Sequence, residues 1–223
     1  MKDSEYRTAV RLRLDLPLAR SMPHTCTCGQ QLSLPRHAGQ HNEAPHGDRT
    51  GVAELSERVG CHVEREMPVL LRDYKAPRHA GKVMTEDGKC DLYITTHEGA
   101  YMLDVSVVHP LAGWALRRGR DSTKAMAVRA RTKRRKYGVA AKERGATMVP
   151  FVVDVYGRLG SHATAFLRQL ADYAEARDRC ETRTDFLDRA YRAVSAAIQR
   201  GNDAAITSAL RSARNAAAHR EPA

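Results

Sequence analysis

The chain has 223 residues, enough for one well-buried core and a small satellite module. Its 37 lysines and arginines outnumber 26 acidic residues and leave a net charge of +11, which points to a polyanionic partner, nucleic acid first, because phosphate contacts supply most non-specific affinity. No apolar run approaches the roughly 18 residues of a membrane span and the first residues lack a signal-peptide core, so a soluble intracellular protein is expected, while an aromatic content of 5% argues against a base-stacking platform for single strands.

In chain order, Tyr6 to Leu18 begins with helical and ends with alternating character and is read as a short helical lead. The stretch from Pro23 to His46 is rich in Pro, Gly and Gln and has almost no apolar periodicity. It carries Cys26-x-Cys28, then His37 and His41, four soft-to-borderline ligands joined by short loops, as tetrahedral zinc requires. His46 is a spare fourth ligand. Zinc would order such a segment, since its binding energy is folding energy; the plain alternative is a linker with chance Cys and His. The five cysteines are odd in number and scattered, so thiols or metal ligands are expected and not a disulfide framework.

An amphipathic helix is expected over Thr50 to Val59, with Val52, Leu55 and Val59 on one side, followed by a strand from Cys61 to Leu71 and a polar loop from Arg72 to Asp87. Two strand-like runs come next, Lys89 to Thr95 and Tyr101 to Val108, separated by His97-Glu98-Gly99. If His97-Glu98 is a two-residue loop closed by Thr96 and Gly99, Asp91 falls directly opposite Asp104. Two carboxylates so close raise one another's pKa unless a cation neutralises them, and Mg²⁺, which takes one or two carboxylates and keeps several waters, fits. The alternative is that Asp91 opens a strand and Asp104 lies on a solvated face.

A helix is expected from about Ser122 to Arg144, with Ala125, Val128, Tyr137 and Ala141 turned inward. Lys124, Arg129, Arg134, Arg135 and Lys136 on it solvate a face or meet phosphates. Lys133 stands apart because Tyr137, one turn on, shares its face, and a lysine beside a scissile phosphate orients water and stabilises developing charge. A last strand spans Met148 to Val155, with Pro150 confined to its start or to an edge. Ser161 is expected to cap a helix with Ala163, Phe166, Leu167, Leu170 and Ala174 on one face, and two more helices fit Thr184 to Arg200 and Ala204 to Ala218.

The segments Arg13-Leu14-Asp15, Cys26-Thr27-Cys28-Gly29, Lys89-Cys90-Asp91-Leu92, Met102 to Pro110, Lys133 to Tyr137 and Val149 to Gly160 together resemble the C-terminal region of reverse transcriptases of non-LTR retrotransposons that carry a restriction-enzyme-like, PD-(D/E)xK endonuclease. The likeness covers roughly Tyr6 to Leu170. It implies an α/β fold, a restriction-endonuclease-like mixed sheet flanked by helices, with a small N-terminal zinc segment and a helical C-terminal tail. The corresponding divisions are 1–22, 23–48, 49–170 and 171–223. It implies Asp91 and Asp104 as ligands of Mg²⁺ or Mn²⁺, Lys133 as a displaced catalytic lysine with Tyr137 its companion, and Glu66 as a preceding acid, for which Glu64 or Glu57 could substitute. Zinc on Cys26, Cys28, His37 and His41, DNA as substrate, an RNA template as a further partner and a nuclear location follow from the same likeness. Cys90 departs from the family's proline, Ser106 from its strand lysine and His41 from its usual cysteine. No polymerase motif precedes the region, so a fragment, a stand-alone relic or a domesticated gene is expected. The competing expectations are a decayed endonuclease that binds nucleic acid without cutting, and an interaction domain built on the C-terminal helices around Phe186, Tyr191 and Ile198.

Overall fold

A four-stranded mixed sheet with helices on both faces makes up the computed structural model, which describes residues 46–74, 84–109, 121–177 and 181–218. The expected helical lead over 1–22 and the expected zinc ligands Cys26, Cys28, His37 and His41 lie outside the described residues. Helix α1 spans His46–Arg58, so His46, the spare ligand, is the first residue of a helix and the boundary expected at 48 falls inside it. The helix ends where Gly60, at φ +85°, lets the Cys61 N–H turn back onto the Ser56 carbonyl at 3.0 Å.

Strands β1 (His62–Tyr74) and β2 (Met84–Thr95) form a long antiparallel pair. Both ends of the expected loop from Arg72 to Asp87, 72–74 and 84–87, are therefore strand, because Leu70 and Leu71 pair with Asp87 and Glu86 and extend the ladder, while 75–83 lie outside the described residues. Strand β3 (Ala100–Val108) follows through a tight hairpin in which the Thr96 N–H reaches the Gly99 carbonyl at 2.8 Å. That loop fixes the register Thr95↔Ala100 through Leu92↔Leu103. Helix α2 (Ser122–Glu143) starts at Asp121, whose carboxylate accepts the Lys124 N–H at 2.8 Å. It leads to β4 (Ala146–Asp154), parallel to β3 and at the sheet edge, where Pro150 costs no inner ladder bond. Helix α3 covers Ser161–Ala176; its N-cap is Gly160, one residue before the expected Ser161, and no side chain caps it.

Helix α4 runs unbroken over Arg183–Ala218, where two helices were expected. Gly201 and Asn202 read as a stop, but both are buried, and the Asn202 amide donates to the Val155 carbonyl at 2.8 Å instead of ending its own helix. Phe186, Ala190, Val194 and Ile198 of α4 join residues of α1, β2, β3, β4 and α3 in the largest apolar cluster. The expected helical tail from 171 onward is thus part of the core, and a boundary at 170 would cut α3. Phe186 and Ile198 are fully buried, which leaves Tyr191 alone of the three residues expected to form an interaction surface. Helix α2 covers the opposite face of the sheet, where Tyr137, Ala140 and Ala141 pack on Met67, Leu71, Cys90 and Met102, and Ala125, Met126 and Ala130 on Val108 and Val152. Val128, expected inward, is half-buried; Met126, Ala130 and Ala140 take the buried places instead. No helix among the described residues is long and apolar enough to cross a membrane.

Candidate active site

The sheet changes sides at one row. On β1, Val63 packs against the larger cluster while Met67, Val69 and Leu71, of the same parity, pack on the α2 side; on β2, Leu92 and Ile94 face the larger cluster while Cys90 faces α2. Regular pleating would hold residues of one parity on one face, so both strands slip between those positions. The pairs Arg65↔Leu92 and Met67↔Cys90 leave Glu66 facing Asp91 in the row between, and that row carries no ladder pair. Glu66 absorbs the slip on β1 with φ +52°, a left-handed conformation uncommon outside glycine.

Asp91 sits at the slip on β2. Its Oδ2 accepts the Val105 N–H at 2.6 Å, so a side chain takes over a donor of β3 just where the β2–β3 ladder stops. Asp104, the next register position after Leu103, is 2% exposed and Asp91 is 9% exposed. The hairpin register, run one step past its last pair, sets Asp104 opposite Asp91, but the two form no ladder pair because the Asp91 side chain takes the Val105 N–H; Pro150 continues the Asp104 row on β4.

The cation comes from the helix. Lys133 Nζ lies 2.6 Å from Asp104 Oδ2, with the lysine side chain 17% and the aspartate side chain 3% exposed. Ser106, two residues on along β3, reaches the same oxygen at 3.4 Å. Tyr137 shares the Lys133 face, 5.8 Å from Nζ to ring centroid, but its hydroxyl donates to the Lys89 carbonyl at 3.1 Å. That bond ties α2 to the strand two residues before Asp91, which makes Tyr137 a positioning residue. Burial, and then the neighbouring Asp104 carboxylate, hold the Tyr137 hydroxyl well above the usual tyrosine range. Burial first and the Asp91 charge second push the Cys90 thiol up to about 12, which makes it an inert packing group.

Not every expected residue converges on this pair. The Glu66 side chain is half exposed and meets Lys89 at 3.5 Å, on the strand preceding the acids. Lys136 stacks 5.3 Å from the Tyr137 ring, and Lys124, Arg129, Arg134 and Arg135 are exposed along α2. Among the described residues no three His, Cys, Asp or Glu side chains gather as a metal cage. The bond from Val105 N–H to Asp91 had no sequence signal, because it follows from the slip in pleating, whereas the contact from Ser106 to Asp104 joins two residues that regular alternation on β3 sets on one face. Arg158 and His162 were also unmarked; with Arg131, Arg134 and Arg135, basic residues of the expected helix, they line a groove beside α2. Neither the models of known protein families nor the curated proteins compared with this chain give a match.

Proposed function

We propose that the chain is a metal-dependent DNA endonuclease of retrotransposon origin that hydrolyses phosphodiester bonds and nicks its target. The observation that carries the reading is the convergence of two buried aspartates from adjacent strands with a lysine delivered by a separate helix, its Nζ 2.6 Å from Asp104. Three such groups gathered at a row where pleating is interrupted form a costly arrangement for structure alone, since each buried charge is desolvated.

The donor set fits Mg²⁺ or Mn²⁺, which accept one or two carboxylates and keep waters, and Asp91 and Asp104 would hold the ion. When bound, the ion supplies Lewis acidity toward a phosphoryl oxygen. The chain's own residues do the rest. Lys133 orients an attacking water and offsets charge developing on the phosphate; Val105 N–H fixes the Asp91 carboxylate; Tyr137 holds α2 against β2 so that Lys133 keeps its reach. Within the same reading, Cys26, Cys28, His37 and His41 bind structural Zn²⁺, the substrate is DNA with an RNA template as a further partner, and the protein acts in the nucleus. The restriction-endonuclease-like fold name is part of this proposal; the mixed sheet with its antiparallel β1–β2–β3 and parallel β4 is compatible with it.

The test is nicking of supercoiled plasmid. Mg²⁺ added to the wild type gives open circles, and Asp104→Asn lowers the rate by at least about 100-fold, the scale of removing one preorganised electrostatic group. Cleavage that persists in Asp104→Asn would show that the site is misassigned. The direct Lys133–Asp104 contact also suits a second reading, a decayed nuclease in which the pair is only structural. Salt-sensitive DNA binding without cutting at any Mg²⁺ or Mn²⁺ concentration would favour it.

A further inference from the structure

A groove of about 790 Å³ runs between α2 and the start of α3. Its floor is Pro150 and Val152 of β4 with Ala130 of α2, and its walls carry Arg131, Arg134 and Arg135 from α2 and Arg158 from the turn before α3. Among the described residues no acidic side chain lines it and none of the four arginines is ion-paired. Four unneutralised guanidiniums around one hollow repel each other, so the arrangement favours an anion.

The far wall adds donors of another kind. Helix α3 opens at Gly160, has no side-chain cap and no acidic residue in its first turn, so its first amides point to the groove end without a local acceptor from a side chain. The closeness of this helix start to β4 depends on Gly160: the Gly160 N–H donates to the Val152 carbonyl at 2.8 Å, and a Cβ there would lie 3.1 Å from the same oxygen. Arg134 Nη1 and His162 Nε2 face each other across the groove at 3.5 Å. Burial, and then the nearby Arg134 charge, lower the His162 pKa, as expected where positive charge is concentrated without a counterion.

The groove lies on the α2 side of the sheet, beside the acid pair. Its floor residue Pro150 is the ladder partner of Asp104. On α2, Arg134 follows Lys133 by about 100° of helix rotation, and Arg131 and Arg135 lie further round the same way, whereas Arg129 and Lys136 fall on the opposite flank. One helix thus presents Lys133 to the acids and a row of arginines to the groove.

We propose that this groove seats a backbone phosphate of duplex DNA, gripped by Arg131, Arg134, Arg135 and Arg158 and by the first-turn amides of α3, adjacent to the phosphate presented to Asp91 and Asp104. The identity of the polyanion as DNA rests on the nuclease reading; the anion site itself rests on the groove. It divides the basic residues of α2 into a set that holds DNA here and a set, Arg129 and Lys136, that faces away.

The test uses the full chain carrying Asp104→Asn, without divalent metal, so that binding is read whether or not the protein cuts. Affinity for a labelled duplex is measured by anisotropy across a salt series, and the His162 ring signal is followed by NMR. Removing one cation that neutralises a phosphate flattens the slope of log K against log salt by about 0.9, so Arg134→Ala with Arg158→Ala is expected to flatten it by about 2. Arg168→Ala with Arg200→Ala, exposed arginines away from the groove, removes equal charge and leaves the slope near that of the parent. The His162 signal moves on adding duplex. The proposal is overturned if the groove pair and the distant pair change the slope equally, if the parent binds no duplex at low salt, or if inorganic phosphate moves His162 while duplex does not. Groove-dependent binding in a wild type that nicks no plasmid with Mg²⁺ would support the groove and overturn the nuclease.

Discussion

Replacing Lys133 by methionine keeps most of the aliphatic stem and removes only the charge, which isolates the ion pair at the site. At 2.6 Å and an effective dielectric of about 20, the gross Coulomb attraction between Lys133 and Asp104 is about 6 kcal/mol. Most of that is offset by desolvation of two buried groups, so the informative quantity is what happens when one partner is left behind. Lys133→Met strands the Asp104 carboxylate, 3% exposed, and is expected to cost about 3–5 kcal/mol in urea unfolding followed by far-UV circular dichroism. Asp104→Asn strands Lys133, which at 17% exposure can turn its head to water along its flexible stem, so about 1–2 kcal/mol is expected. The double variant should be more stable than the sum of the two losses by about 2 kcal/mol, the coupling of a buried pair in contact. Mg²⁺ gives a second readout that needs no catalysis. It supplies the missing positive charge, so Lys133→Met should gain more stability from it than the wild type, about 2.7 kcal/mol at a concentration 100 times Kd. Additive single losses, with a coupling below about 0.5 kcal/mol, would refute the paired geometry, and equal Mg²⁺ effects in both proteins would refute the acids as its seat.

Two further outcomes follow from the core. Phe186→Ala is expected to cost about 3–5 kcal/mol in the same unfolding assay, because the ring is fully buried among residues of the sheet and of α3; a loss under about 1 kcal/mol would mean that α4 is a detachable tail. His109 is 4% exposed and burial lowers its pKa, although Asp154 opposes the shift. Below its ordinary value of 6.5 the unfolded chain therefore binds the proton that the folded chain resists, and stability falls as pH drops through that range. Urea midpoints measured from neutral to mildly acidic pH should decline less steeply in His109→Gln than in the wild type; parallel profiles would remove His109 as the cause.

The acid pair was legible because it depends on local rules. A two-residue loop at His97-Glu98 sets the register by counting, and the register places Asp91 and Asp104 next to each other without knowledge of anything distant. Lys133 was legible as a helical neighbour of Tyr137, since spacing by four is also local. The slip at Glu66 and Asp91 was not, because alternation in the sequence shows which residues are apolar but not which face of the sheet each apolar residue meets. The groove was hidden for a related reason. Arg158 stands in a turn and Arg131 among many basic residues of α2, and only the close approach of Gly160 to Val152 brings their elements together. Gly201-Asn202 misled in the opposite way: a local stop signal was overridden by the long-range bond from Asn202 to Val155.

A lysine carried by a strand would be as persistent as the sheet itself, whereas Lys133 persists only while α2 stays docked. Opening of α2 away from the sheet would separate the ammonium from Asp104 and the guanidiniums of Arg131, Arg134 and Arg135 from the α3 start in a single event. A ligand that grips both the arginines and the α3 start therefore suppresses the opening and, by linkage, keeps Lys133 at Asp104 without touching it. Amide exchange along Ser122–Glu143 is the natural gauge of that coupling, since its protection should rise when a polyanion fills the groove and fall in Lys133→Met.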